Sequence, residues 1–295
     1  MPDTKRQNFD ELVKAISTFE VAGTVVADGT LHIFAIPDQV IARITAEPKL
    51  PKIPINLRVS PGFSLSGEIQ YSAVIEYKEH GRNDASHRAS GRSGSLGFTV
   101  DFGDIIQGGT FTLEMVVPLR RDSDGATGNL RVTGTSSVRG DNPTKADVRS
   151  RLGELPLQVT AYRESRLRQF DASGLPLFGP PNGFGVMQLD TPPATARQLW
   201  DWRQNVDAGV ALFRQKANEA RTYPGRVRNN YPDATDFTPE QLKLETYQRY
   251  NGGGYWQWDD ANKRWVVKPN NGYADESLRI EKSVADGNPP PDWNQ

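Results

Sequence analysis

No cysteine occurs in this chain of 295 residues, which excludes disulfide bridges and thiolate chemistry. Neither sign of charge dominates, with 35 basic against 36 acidic residues. That excludes a nucleic-acid protein held mainly by phosphate attraction, which needs a basic surplus. No segment approaches the run of about 20 apolar residues that spans a bilayer, so no membrane span is expected. The first residues, MPDTKRQNFDELVKAISTF, are polar and show no signal-peptide core. The expectation is synthesis in the cytoplasm without a signal peptide. Any target outside the cytoplasm then requires another delivery route. The three histidines, His32, His80 and His87, form no His-Glu-x-x-His spacing, so neither metal nor cofactor is expected. A Gly-x-Ser-x-Gly elbow is also missing, which removes the serine-hydrolase reading.

What is present is a 36% hydrophobic content and many turn formers, 27 Gly and 21 Pro. The length suits two domains. From about Val21 to Arg139 the pattern is that of strands. "GTVVADGTLHIFAI" surrounds an Asp28-Gly29 turn, a hairpin signal. In "IQYSAVIEYKE", residues Ile69, Tyr71, Ala73, Ile75 and Tyr77 alternate onto one face, and "GTFTLEMVVPLR" and "GNLRVTGTSS" flank a loop at Asp122 to Gly128. An antiparallel β-sandwich-like module over 1–140 is expected, with a short leading helix over 8–19 and a long exposed loop over 79–95.

Near residue 140 the period changes. Asn142 and Pro143 read as an N-cap and a first helical position. Val148, Leu152, Leu155, Val159 and Tyr162 then share a helical face, broken by Gly153 and Pro156, with the second helix ending near Arg166. Leu199, Trp202, Val206, Val210, Phe213 and Ala217 predict one amphipathic helix. "YWQWDDANKRWVV" reads as a hairpin, "YADESLRIEKSV" as a final helix and "DGNPPPDWNQ" as a loosely held tail. The second domain, 141–295, is therefore α-rich, and the fold class is α+β.

The candidate chemistry lies there. Glu164 ends a helix in "TAYRESRLRQF", and a carboxyl that donates a proton near neutral pH needs partial burial. Tyr162, Phe170, Phe184 and Met187 are candidates for that apolar wall. The glycines of "NGFGVMQLD" (182–190) let backbone approach a chain-like ligand, Gln188 can orient a polar group, and Asp190 supplies a second carboxylate. Two carboxylates flanking a sugar bond are the minimum for glycoside hydrolysis. Among 36 acids such a pair is unspecific by itself.

Five segments together carry more. "ES" at Glu164-Ser165, "NGFGVMQLD", "NVDAGVALF" (205–213), "RYNGGG" and "NGYADESL" stand in the order found in the goose-type lysozyme and soluble lytic transglycosylase superfamily, which residues 142–285 resemble. The resemblance implies an α-rich lysozyme-like domain that cuts the β-1,4 bond between N-acetylmuramic acid and N-acetylglucosamine in peptidoglycan. It implies Glu164 as general acid and Asp190 as the acid positioning the attacking water. Ser165, Phe184, Met187, Gln188, Tyr250 and Asn251 would be substrate-binding. Departures are visible: "LFGPPNG" lacks a further acid of the goose-type pattern, with Gly179 near its position, and Arg249 replaces the usual Ala before Tyr250. The stretch from Ala220 to Leu244 matches nothing in the family.

The resemblance leaves two reactions open. A muramidase needs a second carboxylate about 6.5–9.5 Å from the first, whereas a lytic transglycosylase manages with one and forms a 1,6-anhydro product. A cell-wall-binding module without activity is the alternative from another class. A secretion apparatus with a cognate immunity protein, as for a type VI effector, or a phage lysin, fits the missing signal peptide. Trp256, Trp258 and Trp265 either stack on sugar rings or pack the hairpin. Trp200 and Trp202 read as core. Arg197, Arg203, Arg214, Lys216, Arg221, Arg226 and Arg228 make one region basic, either as a solvated face or as an attraction for anionic cell wall.

Overall fold

The computed structural model describes residues 18–21, 24–25, 33–59, 62–82 and 85–294. Of the leading helix expected over 8–19, residues 8–17 lie outside them, as do the Asp28-Gly29 turn and His32, whereas 18–19 belong to a strand, Thr18–Val21. The chain is a mixed α and β protein that divides into two compact units. Unit 1 comprises Met1–Asn142 with Ala172–Leu175, and unit 2 comprises Pro143–Asp171 with Pro176–Gln295.

Among the described residues, unit 1 contains two sheets. One has four strands, ordered β2 (Thr24–Val25), β1 (Thr18–Val21), β4 (Ile53–Arg58) and β8 (Gly97–Val100). The other runs β3 (Ile33–Ile44), β10 (Thr127–Gly140), β9 (Gly109–Arg121), β6 (Ile69–Tyr77) and β7 (Ala85–Ser93), with β5 (Phe63–Leu65) also on β9. Period-two burial drives both. Ile53, Ile55 and Leu57 alternate inward on β4, and Ile69, Ala73, Ile75 and Tyr77 on β6. The pair β3–β10 is parallel, which departs from the expected antiparallel pattern. The expected loop over 79–95 is also mostly strand: Ala85–Ser93 pairs with β6 from Tyr77↔Ala85 to Ile69↔Ser93. As an edge strand with no buried face, β7 lacks the hydrophobic alternation by which strands are recognised.

Unit 2 holds six helices among the described residues. They are α1 (Lys145–Leu152), α2 (Leu155–Ser165), α3 (Ala196–Trp200), α4 (Trp202–Arg228), α5 (Pro239–Tyr250) and α6 (Gly272–Ala285). Thr144 caps α1, accepting from the Asp147 N–H, so the cap lies two residues beyond Asn142. The helix expected to begin at Leu199 is split. Asp201 interrupts it and caps α4, accepting from the Arg203 and Gln204 N–H groups. The unmatched stretch after Ala220 is the last turns of α4, a connection and the start of α5, opened by a Thr238–Gln241 capping box. The hairpin pairs strand Trp256–Asp259 with strand Arg264–Val267. No described helix is long and apolar enough to cross a membrane.

The tail is not loose. Trp293 is 4% exposed, its ring 5.2 Å from that of Tyr162. Lys145 and Arg149 donate to the carbonyls of Asp292 and Trp293, and the Tyr162 hydroxyl donates to the Asp292 carboxylate. Sequence composition alone, rich in Pro and Gly, hides an anchor made by one aromatic residue.

Candidate functional site

A cleft of about 300 Å³ in unit 2 gathers Glu164, Gln188, Asp190, Tyr250 and Asn251. Those five were candidates from sequence. Gly179, Gly183, Lys216 and Arg249 also line it.

Glu164 occupies the last turn of α2, which ends because Arg166 takes a left-handed conformation (φ 58°). The carboxyl is half-buried. Burial pushes its pKa above the ordinary 4.5, while the Tyr273 hydrogen bond and the Arg163 charge pull the other way without cancelling it. The negative end of the α2 dipole acts in the same sense as burial. Tyr273, on α6, donates to the Glu164 carboxylate at 2.5 Å, and the Arg163 guanidinium lies 5.1 Å from the centre of its ring. Burial also pushes the Tyr250 and Tyr273 hydroxyls well up, reinforced by the Glu164 charge. Both phenols therefore remain donors. The Tyr250 hydroxyl donates to the Met187 carbonyl at 2.8 Å, tying α5 to the glycine-rich wall.

That wall begins as a two-residue ladder, Phe178↔Phe184 and Gly179↔Gly183. A side chain at Gly179 or Gly183 would collide with the Gln188 amide, and one at Gly185 (φ 75°) would lie 2.5 Å from Asn205 Nδ2 and 2.6 Å from Gln169 Oε1. The glycines are bare because polar side chains fill the space behind them. Asn205 accepts from the Met187 N–H at 2.9 Å and donates to the Phe184 carbonyl at 3.0 Å. Gln169 accepts from the Val186 N–H at 3.2 Å and donates to the Leu199 carbonyl at 2.8 Å. Ser165 donates to the Val186 carbonyl at 2.8 Å. The buried irregular backbone is thus satisfied by these side chains together with main-chain bonds, Gly185 N–H to the Leu177 carbonyl and Leu189 N–H to the Phe184 carbonyl.

Three of the candidates lie outside the cleft: Ser165, Phe184 and Met187 are buried, do not line it and build the wall from behind. Met187 packs against α4 where Gly209 leaves room for it. Gln188 holds its own loop, its amide donating to the Gly185 carbonyl at 2.9 Å. The Asp190 carboxylate has no side-chain hydrogen bond or ion pair among the described residues.

Tyr273, Gln169 and Arg163 were not legible as site residues. Tyr273 stands in "NGYADESL", a segment of the resemblance, but its contact with a carboxylate 109 positions away has no local signal. The tryptophans pack: Trp265 Nε1 donates to the Thr235 carbonyl, Trp256 Nε1 to the Gln241 carbonyl, and Phe237 lies 4.7 Å from Trp265. Trp200 and Trp202 are buried.

No family model matches the chain, and no curated protein matches it. Seven chains of solved structures do. One is a glycoside hydrolase family 61 member, Cel61B from Hypocrea jecorina, at 9% identity and a TM-score of 0.22. The match covers 46% of this chain and 61% of that one, less than two thirds of its length. A likeness at that TM-score carries no argument.

Proposed function

We propose that unit 2 is a lysozyme-like domain that cleaves peptidoglycan glycan strands at the N-acetylmuramic acid–β-1,4–N-acetylglucosamine bond, with Glu164 as general acid. The observation that carries this reading is the state of Glu164. It is a half-buried cleft carboxyl whose protonated form is favoured by burial and whose position is fixed by the Tyr273 hydroxyl. Such a group holds a proton to higher pH than a solvated glutamate and delivers it to a glycosidic oxygen as the bond breaks. Tyr250 and the bare glycines Gly179 and Gly183 form part of the surface along which a polysaccharide lies.

In the muramidase form, Asp190 positions the water that attacks the muramoyl centre. The lytic transglycosylase form is the second reading, and one observation favours it. Among the described residues no partner holds the Asp190 carboxylate, whereas water activation benefits from a fixed base. In that form Glu164 acts first as acid, then as base toward the sugar's own 6-hydroxyl.

The test is mass spectrometry of soluble fragments from purified peptidoglycan, digested in parallel by wild type and Glu164→Gln. The variant should fold and lose at least about two orders of magnitude in rate, the usual share of general-acid catalysis. Reducing muramic ends from wild type identify the muramidase, and anhydro ends the transglycosylase. Near-normal activity of a folded variant refutes the role of Glu164. The absence of fragments from both proteins favours a module that binds cell wall without cutting it.

A further inference from the structure

The cleft contains two cations that glycan cleavage does not require. Its acids come from α2 and from the glycine-rich segment, whereas Lys216 comes from α4 and Arg249 from the last turn of α5. Of the basic residues crowded into 197–228, Lys216 alone lines this cleft.

Arg249 is held in an unusually defined setting. One of its terminal nitrogens lies 2.6 Å from the carboxylate of Glu245, which is fully buried. Its guanidinium carbon stands 4.9 Å from the centre of the Tyr223 ring. The other Glu245 oxygen accepts from the Tyr255 and Trp256 N–H groups at 2.7 and 3.0 Å, while the one facing Arg249 is buried with no hydrogen-bond partner among the described residues. The ion pair therefore engages one edge of the guanidinium and leaves donors over. Its Nε is buried with no hydrogen-bond partner among the described residues. A guanidinium presents five donors in a rigid fork that suits carboxylates. Lys216 is only loosely committed, 3.4 Å from Glu219, whose other oxygen already accepts from Gln215 at 2.9 Å.

Resting on the reading of this cleft as a muramoyl-glycan site, we infer that Arg249 and Lys216 form a carboxylate subsite. It recognises the acidic substituent carried by the muramoyl sugar rather than the sugar ring. Two carboxylates fit this chemistry: the lactyl group of a peptide-free strand, and those of an attached stem peptide. An uncharged N-acetylglucosamine polymer offers neither. The subsite thus discriminates peptidoglycan from chitin, a task the near-neutral net charge of −1 leaves to local groups.

The test is calorimetric binding to the full-length Glu164→Gln protein, which does not consume its ligands. Three probes are used: the N-acetylglucosamine tetrasaccharide, the alternating N-acetylglucosamine–N-acetylmuramic acid tetrasaccharide with free lactyl carboxylates, and the latter carrying stem peptides. Adding Arg249→Met or Lys216→Met should weaken the carboxylate-bearing probes about tenfold, as for one charge-assisted hydrogen bond. Binding of the neutral tetrasaccharide should change less than about twofold, within the noise of a lost rim contact. A loss on the peptide-free muramoyl probe assigns the lactyl group, and a loss confined to the third probe assigns the stem peptide. Equal losses on all three probes, or none on any, overturn the subsite while leaving the cleft reading intact. If no probe binds the parent protein, the cleft reading fails and the subsite with it. Because Arg249→Met strands the buried Glu245 charge, Lys216→Met and Arg249→Lys carry the experiment if that variant does not fold. Arg249→Lys keeps the charge, loses the fork and should show an intermediate loss.

Discussion

At the scale of single residues, the property that suits Glu164 to the proposed proton donation also makes its charge costly to bury. Its folded pKa lies above the ordinary 4.5. Between those two values the native state holds a proton that the unfolded chain has released, so stability falls as pH rises through that window and stays lower above it. Glu164→Gln cannot titrate. Relative to wild type, the variant should gain stability as pH climbs from 4 to 7. All six tryptophans lie in unit 2, so urea unfolding followed by tryptophan fluorescence reports that unit alone. A gap that stays constant or shrinks with pH would show that burial does not raise this carboxyl. The favourable Tyr273 contact reduces the cost without removing it, consistent with a strained functional group being supported by its surroundings.

At the scale of elements, the glycine-rich wall depends on buried donors and acceptors rather than on regular hydrogen-bond ladders. Gly185→Ala tests this directly. The new methyl must adopt φ near 75° and would lie 2.5 Å from Asn205 Nδ2 and 2.6 Å from Gln169 Oε1. Left-handed strain and overpacking together should cost about 2–4 kcal/mol, and displacing Asn205 should release the Met187 N–H. Thermal melts should show the loss, with the proposed glycan cleavage falling at least about tenfold even where the unit stays folded, because wall misplacement of about 1 Å suffices. An unchanged melt would mean that the wall has slack. This element also marks the limit of sequence reading. Glu164, Gln188 and Asp190 were legible from residue type and local order, and Tyr250 and Asn251 only through the resemblance. The supporting roles of Gln169 and Asn205, and the burial of Ser165, were not, since they depend on what faces them across the fold. Similarly β9 and β6 were readable from alternation, whereas β7 was not: an exposed edge of Ser, Gly, His and Arg has no apolar face to declare. The split at Asp201 escaped notice because Leu199 and Trp202 fall at helical spacing on either side of it.

At the scale of the whole molecule, each unit closes on its own core: Ile53, Ile75, Phe111 and Leu119 in unit 1, and Val159, Trp200, Val206, Tyr247 and Ile280 in unit 2. In unit 2 the closing element is the end of the chain. Trp293 returns to α2 at the Tyr162 ring and to α1 at Arg149, whose guanidinium lies 5.6 Å from its ring centre. The sequence distance bridged is 144 residues between Arg149 and the Trp293 carbonyl. A contact that joins the two ends of a unit restricts its longest loop, so it should govern cooperativity as well as stability. Because α2 carries Glu164 at its far end, loosening the tail should also reach the cleft. Trp293→Ala removes an almost fully buried aromatic and should cost about 3 kcal/mol or more. Urea unfolding by tryptophan fluorescence should register it as a lower midpoint, and proteolysis should then clip the tail after Ala285. A change below about 0.5 kcal/mol, the range of an ordinary surface substitution, would show that α1 and α2 hold without the tail. Where the midpoint does fall, the proposed glycan cleavage should slow as well, because the α2 end that carries Glu164 is braced at Tyr162, two residues before it.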